Sequence, residues 1–151
     1  MNNPTPNFII QSLQPEHQAG ARDLILAGLA GHWGQLDPGM NPDLEDIRAA
    51  YSQAVFLVAV QQGRVIATGA LIPAAHGTAQ IVRMSVAAGM RRRGVASALL
   101  QALCARARRL GVRQLVLETT ETWQDAIAFY ENFGFKETHH LNGDIYFRLE
   151  L

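Results

Sequence analysis

The sequence contains one cysteine, no net charge and no long apolar segment, and each of these scarcities excludes a class of protein. With only Cys104 available, no internal disulfide can form, so an oxidising compartment is not implied. The formal charge is zero, which argues against a general role on nucleic acid or on an anionic membrane. The first residues, Met-Asn-Asn-Pro-Thr-Pro, include no basic cluster or apolar run, so we expect neither a signal peptide nor a membrane anchor. We therefore expect a cytoplasmic protein without a membrane partner.

The length and the spacing of apolar residues predict one domain over residues 1–151, of the α/β or α+β class. Apolar periodicity predicts about seven strands and four helices around a mixed sheet. The predicted strands cover residues 8–10, 55–60, 65–72, 79–86, 114–119, 136–140 and 145–149. The predicted helices cover residues 15–29, 42–51, 96–110 and 123–133, and residues 31–40 are predicted to form a loop. Gly31 and Gly34 are expected to break the first helix, Asn41 to cap the second, and Thr122 with Asp125 to open the fourth as a capping box. Hairpins are predicted at residues 61–64 and 141–143, and the first hairpin is expected to be covered on both sides.

Residues 79–110 read as a strand, a basic glycine-containing loop and a helix. Three successive arginines, Arg91, Arg92 and Arg93, precede Gly94 at the helix start, where unpaired backbone N–H groups favour an anion. A Walker A loop is excluded because Val95 and Ala96 replace its lysine and its serine or threonine. A dinucleotide loop is excluded because its other glycines are missing. The loop is therefore either a metal-free phosphate site, as coenzyme A requires, or an ordinary basic turn.

Two motifs resemble those of the GNAT superfamily of N-acetyltransferases. Residues 91–96 fit its acyl-CoA motif, (Gln/Arg)-x-x-Gly-x-(Gly/Ala), and residues 126–135 fit its A-x-x-x-Y-x-x-x-G-F segment. The resemblance covers residues 50–150 well and the first third more loosely. It implies a mostly antiparallel sheet in which the strand at residues 79–86 splays from the strand at 114–119. Acetyl-CoA would bind in the gap as a co-substrate.

The same resemblance implies which residues contact acetyl-CoA. The backbone of the strand at 79–86 would pair with the pantetheine arm, with the Val86 N–H facing the thioester carbonyl. Tyr130 stands where the family has its general acid, and Trp123 replaces a family Asn or Gln, so it would lose that contact or replace it by stacking. The expected cofactor-binding residues are Met84, Ser85, Val86, Arg91, Arg92, Arg93, Gly94, Val95, Ala96, Ser97, Trp123, Phe129 and Tyr130.

The general base departs from the family pattern. Many relatives carry a glutamate on the strand before the loop. Gln80 occupies the corresponding position in this sequence, and its amide cannot accept a proton. Glu118, at the C-terminal end of the next strand, is the preferred replacement, because strand ends of α/β sheets face the crevice. A surface carboxylate paired with an arginine is the alternative for Glu118. His32, Asp37 and His76, all on predicted loops, are weaker candidates.

The acceptor site is expected near the loop at residues 31–40, with His32, Trp33 and Asp37 as substrate-binding residues. Four acidic side chains cluster at the loop and the helix that follows it: Asp37, Asp43, Glu45 and Asp46. Carboxylates beside an indole favour a small cationic amine, unless they only cap the helix. His139 and His140 lie next to each other on a predicted strand and face opposite sides, so no metal is expected.

These features predict an N-acetyltransferase that moves an acetyl group from acetyl-CoA to a primary amine of a small molecule or peptide. The amine would attack the thioester directly in a ternary complex. Two alternatives stay open: an acyltransferase that uses a longer acyl-CoA, and a non-catalytic acyl-CoA sensor, which Gln80 in place of a carboxylate would suit. Nucleic acid is not an expected partner, because the arginines lack interleaved aromatic residues. The oligomeric state is open, a homodimer included.

Overall fold

The computed structural model describes residues 7–34 and 38–151. Within those residues the chain forms a seven-stranded sheet and four α-helices, which confirms the predicted class. The strands are β1 (Ile9–Ser12), β2 (Val55–Gln61), β3 (Arg64–Pro73), β4 (Thr78–Val86), β5 (Gln114–Thr120), β6 (Lys136–Leu141) and β7 (Asp144–Glu150). The helices are α1 (Gln18–Trp33), α2 (Ile47–Ala50), α3 (Val95–Arg109) and α4 (Gln124–Phe133).

The strands run in the order β1-β2-β3-β4-β5-β7-β6, and every neighbouring pair is antiparallel except β4 and β5. Buried side chains form one cluster around Leu99, Leu103 and Phe147 and a second cluster around Ile25, Leu44 and Ile47. The first cluster packs α3 and α4 on one face of the sheet, and the second packs α1 and α2 on the other. The apolar hairpin of β2 and β3 is therefore covered on both sides, as predicted.

Both predicted hairpins form. The turn between β2 and β3 places Gln62 and Gly63 at φ values of 50° and 78°, and the turn between β6 and β7 places Asn142 and Gly143 at 53° and 85°. Two successive positive φ values define a type I′ turn, whose twist matches that of the flanking strands. These turns set the register of β2 with β3 and of β6 with β7.

Two glycines, Gly31 and Gly34, are predicted to break the first helix, and only Gly34 does so. Helix α1 continues through Gly31 to Trp33 and ends at Gly34, which has a φ of 78°. One glycine inside a helix costs about 1 kcal/mol, which the packing of the helix against the sheet outweighs. His32 and Trp33 consequently belong to the last turn of a helix and not to a loop.

Two predicted helix starts also need correction. Residues 42–51 form a short 3₁₀ turn, Pro42–Leu44, followed by α2, and Asp46 rather than Asn41 caps α2 by accepting from the Ala49 N–H at 3.2 Å. Helix α4 begins at Gln124, and no side chain caps it, so the predicted capping box at Thr122 is absent. Capping residues are common in turns of every kind, so this signal is easily assigned to the wrong position.

A β-bulge interrupts the pairing of β3 and β4. Thr68 pairs with Ser85 and Ala70 pairs with Val82, so two residues of β4, Arg83 and Met84, face Gly69. Arg83 has a φ of 57°, and its carbonyl accepts a hydrogen bond of 2.7 Å from the buried Thr68 hydroxyl. A bulge bends its strand and increases the local twist. Here it lies on β4 just beyond the three residues that pair with β5.

Gly69 is expected to tolerate no side chain. A Cβ there would lie 2.6 Å from Met84 Sδ, 3.0 Å from Leu103 Cδ1 and 3.2 Å from Leu99 Cδ2. Leu99 and Leu103 are fully buried, so these two side chains cannot move aside to admit a methyl group. Gly69→Ala should therefore lower the free energy of unfolding by about 1–3 kcal/mol. Urea denaturation measures this change.

Gly31→Ala is the matched control, because a Cβ at Gly31 meets no atom within 4 Å. Alanine inside a helix should stabilise the protein by about 0.4–1 kcal/mol. A Gly69→Ala variant as stable as the wild type would show that α3 has room for a methyl group between Gly69 and the two leucines.

Candidate active site

The defining feature of the site is the separation of β4 from β5. The two parallel strands pair only where Thr78, Ala79 and Gln80 lie beside residues 114–116. Beyond Gln80 the strands have no register partners in each other, so they diverge toward their C-terminal ends. The splayed strand pair that the sequence predicted is therefore present.

A cavity of about 810 Å³ fills the space between the diverging strands. Helix α1 contributes Ile25, Gly28 and Leu29, and the beginnings of α3 and α4 form much of the remaining wall. The cavity wall contains twelve of the thirteen expected cofactor-binding residues: Met84, Ser85, Val86, Arg91, Arg92, Gly94, Val95, Ala96, Ser97, Trp123, Phe129 and Tyr130. Arg93 is the remaining one and does not line the cavity. The fold thus gathers two distant motifs into one concave surface.

The loop before α3 has the geometry of an anion site. Gly94 is the residue immediately before α3 and has a φ of 79°, and no atom lies within 4 Å of the position that its Cβ would occupy. The first turn of α3 contains no acidic residue, so its N–H groups and the positive end of the helix dipole are not neutralised there. Arg91 and Arg92 are exposed beside this turn. Backbone donors and guanidinium groups can together bind a pyrophosphate.

Tyr130 lies in the cavity wall and is 8% exposed. Its ring packs against Phe129, Phe135 and Phe147, at centroid distances of 5.2, 5.7 and 6.3 Å. Burial raises the pKa of the Tyr130 phenol, and within the described part of the chain its hydroxyl has no hydrogen-bond partner. The phenol therefore stays protonated at neutral pH, as a group that donates a proton must.

Glu118 lines the cavity from β5, whereas Gln80 does not line it. Glu118 is exposed and pairs across the strands with Tyr146, and its carboxylate raises the pKa of the Tyr146 phenol. His139 stacks on Tyr146 with ring centroids 4.4 Å apart. The only other carboxylate in the cavity wall, among the described residues, is Asp125 at the start of α4. Glu118 thus has the position required of a base that takes a proton from a bound amine.

The residues predicted to bind the acceptor are only partly brought together. Trp33 is 57% exposed and contacts the cavity residue Trp123, with ring centroids 5.9 Å apart and planes tilted by 50°. The backbone of His32 lies in the same helical turn as that of Trp33, and its side chain is outside the described part of the structure. Asp37 lies outside the described residues. His76 is exposed in the turn between β3 and β4 and does not line the cavity.

The predicted acidic cluster does not form an open site for a cation. Asp43 pairs with Arg83 at 2.7 Å and accepts a hydrogen bond of 2.7 Å from the Tyr51 hydroxyl. Asp46 caps α2, and Glu45 lies 3.9 Å from Arg22. Asp43, Asp46 and Glu45 therefore each have a protein partner, and these three carboxylates do not support a cationic acceptor, which stays a prediction. Asp37 is not covered by this conclusion.

Arg83 is the cavity residue that sequence reasoning missed. An arginine between Val82 and Met84, in the apolar part of a strand, is a signal, because charged side chains are rarely buried without a partner. The partner could not be identified from sequence, since Asp43 lies forty residues away along the chain. Ile25 and Leu29 of α1 were also missed, because apolar helix residues are expected to pack in the core.

Other reactive side chains lie apart from the cavity. Cys104 is buried within α3, and burial raises the pKa of its thiol, which makes it unreactive. His140 contacts Glu137 on β6, and no group of three or more metal-binding side chains occurs within residues 7–34 and 38–151. In the same part of the chain no helix has both the length and the apolar character needed to cross a membrane.

The fold, with a cavity between two separated parallel strands, is that of an acetyltransferase-family domain. The family model described as the acetyltransferase (GNAT) family matches residues 22–135. The chain belongs to the GNAT family.

Several curated relatives are similar in sequence. The Escherichia coli protein named "Uncharacterized N-acetyltransferase YjgM" is 29% identical over 108 residues, which are 68% of this chain and 65% of YjgM. The rat N-acetyltransferase family 8 member 2 is 32% identical over 108 residues, 67% of this chain and 48% of the rat protein. The chain thus spans about half to two thirds of the length of these relatives.

Solved structures agree in fold over almost the whole chain. A GNAT-family acetyltransferase from Staphylococcus aureus Mu50 has a TM-score of 0.88 at 20% identity, with 96% of this chain and 99% of that chain covered. The PaiA N-acetyltransferase from Thermoplasma acidophilum, solved in complex with coenzyme A, has a TM-score of 0.84 at 14% identity, with 96% and 99% covered. At these identities the similarity concerns the fold alone.

Proposed function

We propose that this protein is an N-acetyltransferase that transfers an acetyl group from acetyl-CoA to a primary amine in a ternary complex. The observation that carries the proposal is the cavity between β4 and β5. The arginine loop and the start of α3 form one part of the cavity wall, and the Glu118 carboxylate of β5 belongs to another part. A cavity open to both groups allows a thioester and an amine to meet without a covalent enzyme intermediate.

The residues present fit acetyl-CoA. Gly94, with its positive φ and open surroundings, allows the backbone before α3 to approach a pyrophosphate, and Arg91 and Arg92 supply positive charge. The segment of β4 beyond Gln80 lacks pairing with β5, so its backbone groups are available to an extended pantetheine arm. The PaiA N-acetyltransferase, which has the same fold, was solved in complex with coenzyme A, and this supports coenzyme A as the type of ligand.

The reaction needs two proton transfers that Glu118 and Tyr130 can perform. An ammonium must lose a proton before its nitrogen attacks the thioester carbonyl carbon, and Glu118 accepts that proton directly or through water. When the carbon–sulfur bond breaks, the thiolate takes a proton from the Tyr130 phenol. The Val86 N–H would stabilise the negative charge on the carbonyl oxygen.

Glu118→Gln is expected to lower kcat/KM for an alkylamine by about 100-fold at pH 7, since glutamine preserves the shape and cannot accept a proton. The loss should shrink as the pH approaches the pKa of the amine, near 10, because the amine then loses its proton to solvent. The full pH profile of kcat/KM for both proteins is the measurement.

Glu121→Gln is the matched control, because Glu121 is exposed just after β5 and does not line the cavity. It should reproduce the wild-type profile. Superimposable profiles for the Glu118 variant and the wild type would exclude Glu118 as the base.

The proposed function is tested by release of free coenzyme A in the presence of a panel of amines. Polyamines, amino acids, aminoglycosides and peptides form the acceptor panel, and acetyl-CoA is compared with propionyl-CoA and octanoyl-CoA. We expect amine-dependent release that is fastest with acetyl-CoA. Faster release from a longer thioester would instead identify a longer-chain acyltransferase.

One observation favours the sensor alternative. The β4 position at which many relatives carry a glutamate is occupied by Gln80, which cannot act as a base and does not line the cavity. A sensor would bind acetyl-CoA in calorimetry and release no coenzyme A with any amine. The Glu118 carboxylate in the cavity is the reason to prefer catalysis.

A further inference from the structure

Arg83 is the centre of a hydrogen-bonded cluster in the cavity wall. Its Nε donates to Asp43 Oδ2 at 3.0 Å, and its NH2 group donates to Asp43 Oδ1 at 2.7 Å and to Asn41 Oδ1 at 3.1 Å. The Tyr51 hydroxyl donates to the same Asp43 carboxylate at 2.7 Å. The side chains of Arg83 and Asp43 are 19% and 25% exposed. The bidentate ion pair fixes the plane of the guanidinium.

The charge states in this cluster are fixed at neutral pH. Burial by itself raises the pKa of Asp43, but the hydrogen bonds from Arg83 and Tyr51 and the guanidinium charge outweigh it and hold the pKa below its usual value. Burial and the hydrogen bond to Asp43 raise the pKa of Tyr51 to about 12. Asp43 is therefore ionised and Tyr51 neutral, so the Arg83–Asp43 pair carries no net charge.

The pairing leaves part of the guanidinium unused. An arginine has five N–H donors, and the bonds above involve the single donor of Nε and both donors of NH2. The two N–H groups of NH1 have no acceptor among the described residues. Arg83 lies in the cavity wall, and no buried side-chain nitrogen in the described residues lacks a partner, so among those residues NH1 is open to solvent or to a ligand.

The remaining groups on this side of the cavity define what an acceptor must offer. Glu118 accepts a proton from an amine, and Ile25, Leu29 and Val82 form an apolar wall. NH1 donates hydrogen bonds and requires an oxygen. A molecule that contacts Glu118, the apolar wall and the NH1 group has an amine, a carbonyl or carboxylate oxygen close to that amine, and an apolar side chain.

We propose that Arg83 NH1 binds a carbonyl or carboxylate oxygen next to the reacting amine, so that the acceptor is an α-amino acid or a peptide N-terminus with an apolar first side chain. This inference rests on the proposed function and identifies its acceptor class. Arg83 is a specificity-determining residue, because a site built to hydrogen-bond an oxygen rejects an analogue that lacks it.

The bulge gives this arrangement its rigidity. The Arg83 carbonyl is bonded to Thr68 and its side chain to Asp43, so a residue with a positive φ is held at both ends. Its neighbours Met84, Ser85 and Val86 are the residues expected to contact the thioester arm. The oxygen-binding group and the acyl-binding strand therefore keep a constant separation.

The first experiment compares acceptors that share a side chain and differ in the oxygen. L-leucine, L-leucinamide and Leu-Gly-Gly carry the oxygen, and 3-methylbutylamine is the same molecule without it. Each kcat/KM for coenzyme A release is divided by the fraction of neutral amine, because the α-substituent changes the pKa of the amine. We expect at least a 30-fold preference for one of the oxygen-bearing amines, and the comparison of L-leucine with Leu-Gly-Gly separates a free amino acid from a peptide N-terminus.

The second experiment replaces both charged partners at once. The double variant Arg83→Gln with Asp43→Asn keeps polar side chains and removes the NH1 donors. We expect it to lower kcat/KM for the preferred oxygen-bearing amine about 30-fold more than kcat/KM for 3-methylbutylamine, whose change measures any general effect on the site. Arg64→Gln, on the exposed start of β3, is the charge control. It should leave the kcat/KM of both kinds of amine and the Kd of acetyl-CoA unchanged.

The outcomes separate the inference from the proposed function. Equal rates with 3-methylbutylamine and the leucine derivatives, or no reaction with any leucine derivative while acetyl-CoA binds, would overturn the acceptor class. An equal loss for both kinds of amine in the double variant would reduce Arg83 to a structural anchor. Absence of acetyl-CoA binding in the wild type would overturn the proposed function itself. The wild-type comparison decides the matter even where the double variant does not fold.

Discussion

Tyr130→Phe is expected to lower kcat about 100-fold while the Kd of acetyl-CoA and the thermal stability stay unchanged. The ring of Tyr130 packs among Phe129, Phe135 and Phe147, and phenylalanine preserves that packing. The hydroxyl has no acceptor in the described part of the chain, so its removal leaves no protein group unpaired. What is lost is the proton for the departing thiolate, and general acid catalysis contributes about 100-fold or more.

Single-turnover kinetics, calorimetry with acetyl-CoA and a thermal melt together measure this effect. Phe133→Leu is the packing control, since Phe133 contacts Phe129 and Phe135 but does not line the cavity. It should lower Tm more than the tyrosine variant and keep turnover. A Tyr130→Phe enzyme with normal kcat would assign the tyrosine a packing role only.

Gly94→Leu is expected to abolish acetyl-CoA binding, raising Kd beyond 100-fold. Gly94 has a φ of 79°, which costs a residue with a Cβ about 1–2 kcal/mol, and its side chain would project from the N-terminus of α3. That is where the pyrophosphate must approach the backbone donors. Isothermal calorimetry with acetyl-CoA is the measurement.

Gly111→Leu separates strain from obstruction. Gly111 follows the other end of the same helix, has a φ of 78° and has no atom within 4 Å of its Cβ position. Both variants should lose similar stability, and only the Gly94 variant should lose binding. An unchanged Kd in the Gly94 variant would remove the loop from the cofactor site.

The elements that sequence predicted best are those with a strong local signal. The type I′ turn at Asn142 and Gly143 and the apolar face of α3 follow from residues close together in the chain. The anion-binding character of the loop at Arg91 to Gly94 likewise depends on adjacent residues. Motif spacing then placed Tyr130 in the same site, where it lines the cavity.

The errors occurred where a local signal competed with packing. Gly31 was expected to end α1, yet the helix continues because its apolar face packs on the sheet. Asn41 was expected to cap a helix, yet its side chain accepts a hydrogen bond from Arg83. In both cases a contact distant in sequence contributes more free energy than the local preference.

The sequence by itself determined the fold class and the position of the arginine loop before a helix, because these depend on periodicity and on a short motif. The role of Tyr130 as the acid came from the family resemblance and stays a prediction. Only the tertiary structure decided how the Asp43 carboxylate is paired. Asp43 reads as a free carboxylate in the sequence, and folding pairs it with Arg83, forty residues away, on a bulge that no local pattern announces. Charges are neutralised by neighbours in space, so an acidic stretch of sequence does not define an acidic site.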